Sequence, residues 1–434
     1  MKKTFLLLAT TSIALMLISC EDSNLQLGAD ATETKTDEFG VSLDKALNVA
    51  NAFWGDNNNS ADTRAQGIVV KNVFTIKDED GASLLHAINY DNGGFVLVAG
   101  DNRLNPVQAY STKGKFLDNQ NEYPLGVTIW MQSLKDSLRI MKLENISPDE
   151  KTCAAWLKFT KGTIPKIQTR SQTPEGGMRP EADTLVGPFL TDSWHQESPY
   201  NDNLESCDHY NYLEAYLGSY KPVVGCIPLA ISRIMRYHEF PASFSWNNMP
   251  DNTPQTTTTK NFIKGVFDNV KSYANANNYC FRCYLDEYDG KSTVVDRLFP
   301  IGQFMRSEYG FASGSDNSYS VSSYTAMKRD MIDHSLPCII SGRTSSDLDS
   351  GFGHAWICDG YHYHFEHWYD QNNNPIGVEN TYIHYLWGDT TTNYDGWYSS
   401  NNVTYVNTSY QYHMRLTNHI SPVDYWDVLL DPIN

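Results

Sequence analysis

Leu43, Ala46, Leu47, Ala50 and Trp54 recur at helical spacing, so the segment 43–54 predicts a helix with one apolar face. Val127, Trp130, Leu134, Leu138 and Met141 make a second such stripe and predict a helix over 126–143. Between them, "LLHAINY" and "GGFVLVAGD" read as strands, the second opened by Gly93-Gly94. These elements make a small α+β unit, placed at residues 41–161. The pattern then stops. "GTIPKIQTRSQTPEGGMRPEADT" (162–184) has no periodicity and carries Gly162, Pro165, Pro174 and Gly176-Gly177 close together. It reads as an exposed linker of the kind proteases cut. A larger unit, residues 185–434, follows: helix-rich to about residue 335, strand-rich beyond, with "TPQTTTTKN" as a short polar loop.

The clearest helix of the second unit lies in "VVGCIPLAISRIMRYHEFP" (223–241). Ile227, Ala230, Ile231, Ile234 and Met235 fall on one face. Pro228 fits only near the helix start, and Pro241 stops the helix. Cys226 therefore sits at or next to the helix N-terminus, where free N–H groups and the helix dipole stabilise a thiolate. A small buried side chain is the plainer role for such a cysteine, and position alone does not decide between the two.

Composition narrows the classes. The 434 residues carry 33 basic and 51 acidic side chains, a net charge of −18, which argues against a nucleic-acid partner and leaves no polybasic membrane patch. With 41% hydrophobic residues the chain can bury sizeable cores. Met1-Lys2-Lys3, the apolar run "TFLLLATTSIALMLIS" and Cys20 form an export signal rather than a membrane span. "LISC" resembles the bacterial lipobox, which implies a signal peptide over 1–19, a lipid on Cys20 and a tether over 20–40. No later apolar run is long enough to cross a bilayer.

Seven cysteines remain after Cys20, an odd number, so an exported chain keeps at least one thiol unpaired. "CFRC" (Cys280, Cys283) lacks a second ligand pair and is weak as a zinc motif. A nucleophilic cysteine needs a base. In "SSDLDSGFGHAWICDGYHYH" a Gly-rich loop gives way at His354 to a strand-like run, which can present the ring to a cleft. His362 and His364 share a strand face, with a metal site or a solvated hairpin as the readings, and His238 and His384 read as structural.

These segments, in this order, resemble one family. "VVGCIPLAISRIMRYHEFP", "GFGHAWICDGY", "WHQESPYN" and "YIHYLWGDTTTNYDGWY" are similar to the streptopain-like cysteine peptidases of the papain clan, made as lipoprotein proenzymes here. "GGFVLVAGDNRLNPVQAYSTKGKF" looks like their propeptide core, and "YQYHMRLTNHISP" like their closing strand. The resemblance implies an α+β fold: a papain-like, two-lobed catalytic domain preceded by a small α+β propeptide domain. It implies Cys226 as nucleophile, His354 as base, Gln196 as oxyanion donor and Trp387 as the residue beside the histidine. Two departures stand out. "GCIP" replaces the usual "GCVA", and in the loop matching the family's "NWGWGG", in the register set by "YIHYLWG", Leu386 replaces the Asn and Asp389 the second Trp, while a shifted register pairs Trp387 with the second Trp instead. Asp395-Gly396 still matches the "DG" that follows.

The expected activity is hydrolysis of peptide bonds in proteins through a Cys-His dyad and a thioester acyl-enzyme, with no metal or organic cofactor. The expected partners are protein or peptide substrates and the chain's own propeptide as a cis inhibitor. The membrane is met only through the N-terminal lipid, at a bacterial outer membrane or cell surface, with a form released on processing. The competing reading is a catalytically altered binding or inhibitor protein of the same family, drawn from the altered Trp loop. Lys166 and Arg170 offer cuts in the linker.

Overall fold

A computed structural model of the chain describes residues 38–57, 69–160, 180–205, 221–286, 290–296, 298–318, 320–343, 353–369, 375–389, 391–400 and 414–423. The signal, Cys20 and most of the tether and linker lie outside these residues. The first part of the chain forms α1 (Leu43–Asn57), β1 (Val70–Lys77), β2 (Ser83–Tyr90), β3 (Phe95–Ala99), β4 (Val107–Ser111), α2 (Leu125–Leu143) and α3 (Glu150–Thr160). The apolar stripes behave as read: Ala46, Val49, Ala50 and Phe53 of α1, and Val127, Trp130, Leu134, Leu138 and Met141 of α2, are buried.

The second part begins with β5 (Ala182–Val186), so residues 182–184 of the span read as linker already belong to a strand. Then come α4 (Cys226–His238), α5 (Thr257–Ala276), the hairpin β6 (Phe281–Asp286) and β7 (Gly290–Val295), and α6 (Ile301–Tyr309). After these follow β8 (Ser313–Ser318), α7 (Val321–His334), β9 (Cys338–Arg343), β10 (Gly353–Tyr369), β11 (Pro375–Leu386), β12 (Gly396–Ser399) and β13 (Arg415–Ser421). The threonine run read as a loop is instead the first turn of α5. Thr256 caps it, its side chain accepting the Thr259 N–H at 3.2 Å, which is the position where hydroxyl side chains favour a helix.

Eleven strands form one sheet in the order β1-β2-β3-β4-β12-β11-β10-β9-β13-β8, with β5 added on β10. The junction is the antiparallel pair β4–β12, in which Tyr110 faces Trp397 and Ala109 faces Tyr398. The first and second parts of the chain thus share a sheet. They also share a core: Phe53, Tyr110 and Trp130 from the first part lie in one hydrophobic cluster with Tyr382, Trp387, Trp397 and Tyr398 from the second. The Tyr110 and Tyr382 rings meet edge to face at 5.2 Å, and Trp130 meets Tyr398 the same way at 4.9 Å, geometries that aromatic quadrupoles favour. A second core joins α4, α5 and α6 to the sheet through Ile339, Ala355, Ile357 and Leu386. A helical lobe and a sheet lobe therefore meet along α4 and β10.

The β10–β11 hairpin is not solvated as read from the sequence, because the propeptide lies against it. His362 is buried and shares hydrogen bonds with the Tyr110 hydroxyl at 2.7 Å and Asp183 Oδ1 at 3.1 Å. Lys158 of α3 pairs with Glu366 of β10 at 2.6 Å. His384, read as structural, pairs with the buried Asp359 at 2.6 Å.

Candidate active site

Cys226 is the first residue of α4. Gly225 precedes it with φ of +88°, and a Cβ there would come within 2.9 Å of Thr293 Cγ2, so this place needs glycine twice over. Pro228, third in the helix, gives up only an N–H that has no partner within the helix. The half-buried thiol points to His354, the second residue of β10, which is 7% exposed. Helix start and strand start thus bring together two groups from different lobes.

The two groups change each other. Burial pushes the Cys226 thiol up, but the hydrogen bond and charge of His354, with the main-chain N–H groups of Ala355 and Ile227, outweigh it and hold the thiol below its ordinary value. Burial pushes the His354 ring down, yet the hydrogen bond and charge of Cys226, the Trp387 carbonyl and the charge of Asp389 together raise it. Opposite shifts in a contacting thiol and imidazole favour a thiolate–imidazolium pair.

His354 Nε2–H donates to the main-chain carbonyl of Trp387 at 2.6 Å, which leaves Nδ1 for the thiol. Gln196 is buried, and its side-chain amide donates to the Gly388 carbonyl at 2.8 Å. Its own carbonyl accepts the Val224 N–H at 2.9 Å, tying it to the segment just before Cys226. The Trp387 side chain is fully buried and its indole N–H donates to the Tyr394 carbonyl at 3.0 Å. All four predicted site residues therefore converge.

Sequence reasoning missed three contributors. Asp395 accepts the Trp387 N–H at 2.9 Å. Burial raises its carboxyl to about 6, against the pull of Arg233, the Trp387 N–H and His384. The only sequence signal was its match to the "DG" pair. Arg233, on the face of α4 away from solvent, bonds Asp192 at 2.8 Å behind the site. Gly126 of α2 is the third: a Cβ there would fall 2.3 Å from the Trp387 ring and 3.1 Å from His354 Cδ2. The propeptide helix thus lies directly on the histidine.

The remaining candidates separate. Cys280 is a free thiol while Cys283 is disulfide-bonded, so "CFRC" is not a ligand pair. Among the described residues no group of three His, Cys, Asp or Glu side chains is arranged to hold a metal ion. Among them, too, no helix is long and apolar enough to cross a membrane.

A helix-borne thiol facing a strand-borne imidazole across two lobes, with a propeptide helix over them, defines a papain-like cysteine peptidase domain in its precursor form. Residues 194–398 match the Peptidase C10 family and residues 38–138 match the family described as Spi protease inhibitor, so a segment similar to the streptopain peptidases follows one similar to their propeptide inhibitor. Streptopain of Streptococcus pyogenes is 23% identical over 253 residues, 56% of this chain and 54% of that protein. The chain spans about half the length of the curated relatives it matches. The fold of a prointerpain A fragment from Prevotella intermedia is similar with a TM-score of 0.52 at 15% identity, covering 82% of this chain and 100% of the fragment.

Proposed function

We propose that this chain is the precursor of an exported cysteine endopeptidase that cleaves proteins through Cys226 and His354. The observation that carries the reading is the pair of opposite shifts in a thiol and an imidazole at a helix N-terminus. The Cys226 thiolate attacks the peptide carbonyl. The oxyanion is held by the Cys226 N–H and by the Gln196 amide, whose nitrogen has a second hydrogen beyond the one given to Gly388. His354 protonates the leaving amine, then activates the water that hydrolyses the thioester. These steps use side chains, main chain and water alone.

The altered loop bears on the rival reading, a binding or inhibitor protein. The group that orients His354 is a main-chain carbonyl of Trp387, so Leu386 and Asp389 in place of the family's Asn and second Trp leave that hydrogen bond intact. This supports the enzyme. The N-terminal sequence supports export with a lipid on Cys20, which would hold the precursor at a membrane surface.

Cys226→Ala tests the reading. The variant is expected to accumulate as a folded full-length chain with no measurable peptidase turnover, and the wild type to be labelled at Cys226 by an epoxide directed at thiol peptidases. Turnover above trace levels in the variant would remove Cys226 as nucleophile.

A further inference from the structure

Three hydrogen bonds meet at two consecutive residues. The Trp387 carbonyl accepts from His354 at 2.6 Å, the Gly388 carbonyl accepts from Gln196 at 2.8 Å, and the Trp387 N–H donates to Asp395 at 2.9 Å. Trp387-Gly388 is a strap that holds the base with one carbonyl and the amide with the next. It lies just beyond the end of β11 and has no ladder partner there, since the last residue of β11 paired with β10 is Leu386. Asp395, just before β12, supplies from a neighbouring strand the acceptor that the sheet no longer provides. Its surroundings are built around charge: Arg233 and His384 both lower its carboxyl, and each is held by its own aspartate, Asp192 and Asp359.

We infer that Asp395 is a positioning residue for the dyad, fixing His354 through the Trp387 main chain and Gln196 through Gly388. The hydrogen bond to Asp395 sets where the 387 peptide stands, and that sets where the His354 ring stands relative to the thiol. A side-chain acceptor usually orients a catalytic imidazole directly; here the side chain acts at one remove, through the main chain. The inference rests on the reading of Cys226 and His354 as a reacting pair.

Thiol alkylation separates the two. The full-length chain is treated with iodoacetamide from about pH 5 to 9, and modification is mapped by mass spectrometry. Cys280, free and of similar exposure, is the internal standard. In the wild type Cys226 reacts well below the pH at which Cys280 does. In Asp395→Ala the Cys226 rate at about pH 6 is expected to fall about tenfold, as a one-unit rise in thiol pKa implies, and to change less than about twofold near pH 9. Asp395→Asn, which keeps an acceptor oxygen, restores most of the low-pH rate. A merely structural role would lower melting temperature and leave the pH profile where it was. A folded Asp395→Ala with the wild-type profile would overturn the inference. If that variant loses its folded circular dichroism, Asp395→Leu, which fills the space without an acceptor, decides by the same comparison. A wild type in which the Cys226 rate rises with pH along the same curve as that of Cys280 would instead sink the dyad reading itself, whatever the absolute rates.

Discussion

At the scale of single residues the site divides labour between side chains that react and main chain that places them. Gln196 is the residue whose role is most open to measurement. Its amide is buried, tied to Gly388 and linked through its main chain to Val224. An oxyanion donor acts mainly in the transition state, so Gln196→Ala is expected to lower kcat by roughly 10²–10³ and change KM little. An unchanged kcat would make Gln196 a structural brace between two loops. Cys226 and His354 were legible because a helix stripe and a Gly-to-strand junction mark them, and the family resemblance paired them. Asp395 was not, because its effect runs through the main chain of Trp387, and no side-chain pattern reports a main-chain hydrogen bond. The same holds for Gly126, whose need is for the absence of a side chain.

At the scale of elements, α1, α2 and α4 were readable from helical periodicity, and β2 and β3 from apolar runs bounded by turn residues. β1, β4 and α3 were not singled out. All five residues of β4 are buried between β3 and β12, but Gln108 and Ser111 are polar, so it lacks the apolar run that marked β3. β1 is a partly exposed edge with a bulge, and its pattern is broken. What no local pattern conveys is that β4 joins β12, a partner far away in the chain. Helix α2 of the first part packs against the histidine of the second. Gly126→Ala adds a methyl where the Trp387 ring stands 2.3 Å from the ideal Cβ, and Trp387 is fully buried, so α2 must back away. Overpacking of this kind costs typically about 1–3 kcal/mol. The full-length variant is expected to unfold at lower urea and to alkylate Cys226 faster than the wild type. Unchanged alkylation would mean that α2 does not limit access to the thiol.

At the scale of the molecule, the linker, the lipid proposed on Cys20 and the shared sheet would set the order of events in maturation. A cut at Lys166 or Arg170 would sever the chain between Cys20 and the catalytic part. It would not separate the parts, because the β4–β12 pairing and the common aromatic core join the pieces on either side of the cut. Under reducing conditions the nicked chain is expected to elute from gel filtration as one particle until denaturant is added. In cells the nicked form is expected in the membrane fraction with wild-type Cys20 and in the soluble fraction with Cys20→Ala. Prompt separation on nicking alone would show that the shared sheet is too weak to hold. Release of the working enzyme therefore calls for destruction of the propeptide as well as a cut. That destruction has a cost for what is left behind. Strand β12, once β4 is gone, is the rim of the sheet, and its four residues make it a short one, which itself limits pairing with a neighbour. What the first part covers in the precursor is less the rim than the aromatic face behind it: Tyr382, Trp397 and Tyr398 pack against its side chains and would meet water once it is removed.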